Sequence, residues 1–122
     1  VTRMLRRDPS QRPTAAACLN HPWFWDAARC LAFLAAVSDR LESEDRHVYS
    51  PARRLESMRM AILDPHPTWH QQLHPELWAD LSAFRRYSPH SIQDLLRAIR
   101  NKRSHLNELP LELQQAIGIS PE

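Results

Sequence analysis

Apolar positions recur along this chain at the three- and four-residue intervals of amphipathic helices. The clearest run is Ile92, Leu95, Leu96 and Ile99, at i, i+3, i+4 and i+7 of a segment that Ser91 can cap. Asp94 stands in its first turn, as in a weak capping box. A helix starting at Asp26 carries Leu31, Leu34 and Leu41 on one stripe, with Phe33 and Val37 beside it, and is expected to end near Asp45. Ser50-Pro51 starts another, with Leu55, Met58 and Ile62 on a face, and Asp64-Pro65-His66-Pro67 breaks it. His74-Pro75-Glu76 opens a short helix through Leu77, Trp78, Leu81 and Phe84, and Pro110 opens a last one ending at Gly118. Nearer the start, Asp8-Pro9 begins a turn, Pro13 suits a first helical turn, and His21-Pro22 closes the helix of Thr14 to Leu19.

Composition sharpens this into an all-α reading. The 122 residues include one Gly, too few for the hairpin turns of a β fold, and ten Pro that separate helices. Cys18 and Cys30, the only two cysteines, read as free thiols of a reducing compartment. No run of ~18 apolar residues is present, so no membrane contact is expected within the chain. The chain reads as a piece of a larger protein.

Net charge is only +2, but Arg97, Arg100, Lys102 and Arg103 crowd one helix end, with only Asp94 nearby. Such an end is either a phosphate footprint or a complement to the helix dipole. If the helix from Ser91 reaches His105, then Arg97, Asn101 and His105 share a polar face opposite the apolar stripe. Tyr87 precedes the helix by a short loop and can fold back over it or pack elsewhere. These groups suit RNA cleavage by the substrate's own 2′-OH, which needs a base, a cation at the phosphate and an acid, but no metal. An imidazole of ordinary pKa ~6.5 can donate near neutral pH. A phenol of ordinary pKa ~10 accepts a proton only when cations favour its phenolate. Solvated or capping roles explain the same residues more simply.

Other candidates are weaker. His66, His70 and His74 are spaced by four, but Pro65, Pro67 and Pro75 interrupt any helix that would align them for zinc, so no metal site is expected. Trp69 and Trp78 read as core; Trp23 and Trp25 read as a seal between two domains. Glu42, Glu44 and Asp45 read as a solvated helix face.

Two stretches resemble known families. Asp8-Pro9-Ser10-Gln11-Arg12-Pro13 with His21-Pro22-Trp23-Phe24 resembles the end of a protein-kinase domain, over about one fifth of the chain. Val37-Ser38-Asp39-Arg40, Asp94-Leu95-Leu96-Arg97-Ala98-Ile99-Arg100-Asn101-Lys102, His105 and Glu108-Leu109-Pro110 resemble the KEN endoribonuclease domain of inositol-requiring-enzyme stress sensors and RNase L, closer to the first branch. Trp69, Leu81, Phe84 and Tyr87 keep that family's spacing. The resemblance implies residues 1–25 as a kinase end and 26–122 as a helical KEN-type domain packed on the last kinase helix and lacking its own final helices.

It further implies His105 as general acid, Tyr87 as candidate base, and Arg100 and Asn101 at the scissile phosphate. Arg97, Lys102 and Arg103 would bind RNA. Substrates would be messenger-RNA stem-loops, cut to 2′,3′-cyclic phosphate and 5′-OH ends by a homodimer or higher oligomer. No cofactor would serve the RNase; ATP or ADP with Mg would bind a kinase outside this chain. The whole protein would act on the cytosolic side, anchored in the endoplasmic reticulum. Ser104 departs from the pattern, standing where many members carry a second histidine. Two other classes stay open: a non-catalytic helical dimerisation module of a kinase, and a basic RNA-binding bundle with a steep salt dependence.

Overall fold

The computed structural model describes residues 2–44, 50–105 and 108–116, so the helix ends expected at Asp45 and Gly118 lie outside it. Among the described residues the chain is all α, without a strand. Seven helices follow one another: α1 Ala15–Leu19, α2 Ala27–Ser43, α3 Pro51–Ser57, α4 Arg59–Leu63, α5 Pro75–Phe84, α6 Ile92–Ser104 and α7 Leu111–Ala116. Two compact units divide the chain, Val1–Cys30 and Leu31–Glu122.

The first unit is held by local hydrogen bonds, and none of its described residues is fully buried. Asp8 caps a 3-10 turn by accepting from Ser10 N at 2.9 Å. Thr14, not Pro13, begins α1, its Oγ1 accepting from Ala17 N at 3.1 Å. The indole of Trp25 donates to the Asn20 carbonyl at 2.9 Å, and the Arg29 guanidinium lies 4.8 Å from its ring centroid. Arg12 donates to the Arg6 and Arg7 carbonyls at 2.7 and 3.3 Å. Trp23 is 85% exposed.

The second unit has a continuous core. Leu63, Trp69, Leu81, Ile92, Leu96 and Ala98 form its buried centre, with Leu34, Val37 and Leu41 of α2 packed against it. Trp69 and Trp78 therefore belong to the core, as expected; their rings meet edge-on at 5.4 Å. Two amphipathic readings need correcting. The segment after Pro51 is not one helix, because the chain breaks at Met58. The break turns Met58 and Ile62 outward, 51% and 44% exposed, and gives the core Leu63 instead. On α5, Leu81 is buried while Phe84 is 84% exposed, so the apolar stripe does not continue to the helix end.

α6 is anchored at its start from three directions. The Ser91 hydroxyl accepts from Asp94 N at 3.2 Å. Glu56 of α3 accepts from Ser91 Oγ at 2.7 Å, Gln93 N at 2.9 Å and Ile92 N at 3.2 Å, a carboxylate on the positive end of the helix dipole. Burial works against its charge, but these hydrogen bonds together with Arg59 leave Glu56 below the usual carboxylate range. Asp94 does not close a capping box; it accepts from Ser88 N at 2.7 Å and from Arg97 at 2.8 Å.

Trp69 ties the preceding loop down. It is 2% exposed, and its indole N–H donates to the carbonyls of both Ser88 and Ser91 at 3.1 Å. Its own N–H donates to the Pro89 carbonyl at 3.1 Å. Trp69→Phe keeps an apolar ring but strips the indole partner from two loop carbonyls. We expect it to cost about 1–3 kcal/mol in urea unfolding, the range for a buried hydrogen-bonding group left unpaired.

Candidate active site

Four of the candidate site residues, Tyr87, Asn101, Lys102 and His105, border one cavity. It holds about 350 Å³ and is lined by Leu81, Phe84, Arg85, Tyr87, Asn101, Lys102, His105 and Glu108. Three elements build it: the end of α5, the loop carrying Tyr87, and the last turn of α6. Tyr87 does fold back over α6. It is half-buried, edge-on to Trp69 at 6.3 Å, and its hydroxyl oxygen accepts from Asn101 Nδ2 at 3.0 Å. That bond leaves the phenolic hydrogen for another acceptor.

His105 sits just past the helix rather than on it. α6 ends at Ser104, and His105 caps it with φ −128° and ψ 24°, its backbone N–H donating to the Lys102 carbonyl. The His105 side chain lines the same cavity as Asn101. Its Nδ1 lies 2.7 Å from Glu108 Oε1.

The cations are arranged differently from the sequence reading. Arg100, expected on the phosphate, does not line the cavity. Its guanidinium donates to Glu42 Oε2 at 2.5 Å, Glu42 Oε1 at 3.2 Å and Asp39 Oδ1 at 3.0 Å. Arg97 is held by Glu42 at 2.6 Å and Asp94 at 2.8 Å, and borders a separate cavity with Leu41, Ser50 and Arg53. Arg103 is exposed beside an apolar groove of Leu73, Leu77 and Ile99. Lys102 borders the Tyr87 cavity and pairs with Asp80 of α5. Glu42 is exposed, as expected of that helix face, and from there it bridges α2 to α6 through Arg97 and Arg100.

That bridge reaches the cavity by a relay. Arg100 Nε donates to Asn101 Oδ1 at 3.4 Å, which commits the other end of the amide, Nδ2, to Tyr87. The chain from Glu42 through Arg100 and Asn101 thus selects the orientation in which the amide can hold the phenol. Hydrogen bonding from Arg100 leads in drawing the Glu42 pKa down to about 2, against the opposing effect of burial and with help from Arg97. In return Glu42, then Asp39, raises the Arg100 pKa. Exposed ion pairs contribute only about 0–1 kcal/mol each, so the apolar core holds α6 in place and this network orients its side chains.

Sequence reasoning gave no site role to Arg85, Phe84, Glu108 or Asp80. Phe84 and Glu108 stood among the family-like residues, and Arg85 lies two residues before Tyr87. Asp80 had no local signal, since its partner is far along the chain. The three spaced histidines are not one row: His66 precedes Trp69 in a loop, His70 lies in a 3-10 turn with its ring 5.0 Å from Trp78, and His74 precedes α5. Cys18 and Cys30 are free and half-buried.

Comparisons with known proteins place the chain in a family. A family model described as Ribonuclease 2-5A matches residues 30–122. The chain is 42% identical over 123 residues to the serine/threonine-protein kinase/endoribonuclease IRE2 of Homo sapiens, covering 100% of the chain and 13% of the relative. It is 40% identical over 123 residues to IRE1a of Arabidopsis thaliana, again covering 100% of the chain and 14% of a protein named as a kinase/endoribonuclease. A Schizosaccharomyces pombe protein named as a sensor for unfolded proteins in the ER is 40% identical over 120 residues, 98% of the chain and 11% of its own length. The chain thus spans only about one seventh or less of these relatives.

The Glu42 hub has a pH signature. A carboxylate lowered from 4.5 to about 2 contributes stability that is fully present above 4.5 and lost as pH falls towards 2. Glu42→Gln should lower the Tm near neutral pH, and the gap to wild type should close as the pH drops through that window.

Proposed function

The chain belongs to the Ribonuclease 2-5A family, and from that premise we propose that it is the RNA-cleaving end of a bifunctional serine/threonine kinase-endoribonuclease. The observation that carries the reading is the Tyr87 hydroxyl held by Asn101 on the same cavity wall system as His105 and Lys102. A proton acceptor, a proton donor and a cation around one hollow are the minimum for cleavage by the substrate's own 2′-OH.

In this mechanism the RNA 2′-oxygen attacks the adjacent phosphorus. Tyr87 is the candidate base for the 2′-OH proton, and Asn101 keeps its oxygen in place. The bond from phosphorus to O5′ breaks, and His105 delivers a proton to the departing oxygen from Nε2, its ring fixed by Glu108 on the other nitrogen. The products are a 2′,3′-cyclic phosphate and a 5′-OH. Lys102 and Arg85 face the phosphate charge. Arg100 acts through Asn101, and Arg97 and Arg103 lie farther out along the RNA. No step calls for a metal ion or cofactor; ATP or ADP with Mg belongs to the kinase part of the whole protein.

The substrate we propose is a stem-loop of messenger RNA, cleaved by a dimer or higher oligomer within the unfolded-protein response. The name of the S. pombe relative motivates that setting, with the whole protein anchored in the endoplasmic reticulum and this unit on the cytosolic side. No described helix is long and apolar enough to cross a membrane. A plain basic RNA-binding bundle fits less well, because Arg97 and Arg100 already meet carboxylates within the chain.

The test uses the full-length protein, dimerised, with an end-labelled RNA hairpin in EDTA. Wild type should leave a cyclic-phosphate end. His105→Ala should lower the cleavage rate by about 10²–10⁴-fold, the usual worth of a general acid. Binding with equal, absent cleavage by both proteins would instead support a non-catalytic module.

A further inference from the structure

Lys102 is the one cation of the α6 basic cluster that borders the Tyr87 cavity, and its partner is not on its own helix. Asp80 lies on α5, one residue before the buried Leu81. Lys102 lies one helical turn after the buried Ala98. Both neighbours belong to the same core cluster, so core packing sets how closely the two charged side chains approach. The Asp80 and Lys102 side chains are 25% and 20% exposed, against 24% and 80% for Glu44 and Arg40 of a surface pair. The paired Oδ2 atom of Asp80 is shut off from solvent and takes no other hydrogen bond among the described residues. A buried carboxylate oxygen with a single charged neighbour constrains that neighbour strongly, because separating them would leave it uncompensated. Lys102 also borders the apolar groove of Leu77, Leu81 and Ile99, so its methylene stem has a wall to lie along.

We propose that Asp80 is a positioning residue of this site: its carboxylate anchors the Lys102 ammonium at the cavity edge, where the ammonium meets a non-bridging oxygen of the phosphate being cleaved. The inference rests on the ribonuclease reading above. A lysine has four rotatable bonds and is a point charge rather than a fork, so alone it is a poor director of a phosphate. Tethering it to a buried oxygen removes that freedom before the substrate arrives, which is how preorganised charge lowers a barrier. The tether has an electrostatic cost, since Asp80 also repels RNA. Positioning and attraction are therefore opposed at this residue, and kinetics can separate them.

The experiment uses the full-length dimerised protein and the same RNA hairpin, with wild type, Asp80→Asn, Lys102→Ala and the double variant. Asp80→Asn should lower kcat about tenfold without raising KM, because the ammonium is misplaced but the site gains net positive charge. Its binding should become steeper in salt, by about 0.7–0.9 in the log–log slope, one further phosphate contact. In the Lys102→Ala background, Asp80→Asn should cost no further kcat. Thermal unfolding reads the same cycle without activity: Lys102→Ala lowers the Tm by stranding Asp80, and adding Asp80→Asn restores it. An equal loss of kcat from Asp80→Asn with and without Lys102 would overturn the proposal. So would a Tm that falls further in the double variant. If wild type and His105→Ala both fail to cleave, the ribonuclease reading falls and takes this inference with it. If wild type cleaves and the coupling is absent, only this inference falls.

Discussion

The double hydrogen bond from the Trp69 indole to the carbonyls of Ser88 and Ser91 is the contact on which the site depends. Burying a loop is unfavourable because its backbone carries polar groups with no ladder to satisfy them. Trp69 solves this from inside the core, offering an N–H where two carbonyls would be stranded. The same ring supplies the wall against which Tyr87 packs edge-on. One residue therefore joins the apolar core to the loop that presents the phenol. Glu56 completes the restraint from α3, so the loop is held at both the Ser88 and the Ser91 end.

A second layer of order is electrostatic, and it lies on the outer side of α6. Arg97 and Arg100 meet Glu42, and Arg100 meets Asp39, all across to α2. In a solvated setting such pairs contribute little stability. Their effect is on geometry: Arg100 fixes one end of the Asn101 amide, and the other end fixes Tyr87. A residue whose charge suggests a phosphate contact serves here through a neutral amide. The basic run on α6 is consequently divided between the two sides of the helix. Lys102, turned towards α5, borders the cavity; its two arginine neighbours on the α2 side do not.

Much of the architecture was legible because it depends on local rules. Ser91 reads as a cap since its hydroxyl reaches a backbone N–H three residues on, and Ile92 and Leu96 read as core since helical spacing puts them on one face. The error at Met58 has an equally local cause: nothing in Leu55, Met58 and Ile62 distinguishes one helix from two at a shallow break. Tyr87, Asn101 and His105 were found as candidates because they lie within one stretch. Their chemistry was named before their geometry, through a family resemblance.

The sequence by itself determined the helical class, the caps, the core face of α6 and the roster of groups able to move protons. These follow from bonds and spacings within a few residues. Only the tertiary structure decided which cations stay available and which are neutralised. Glu42 stands at the end of α2, so α3 to α5 and most of α6 lie between it and Arg100; the end of α5, the loop before α6 and most of α6 lie between Asp80 and Lys102. Partnerships across such distances depend on how the core packs the helices, which no short-range pattern encodes.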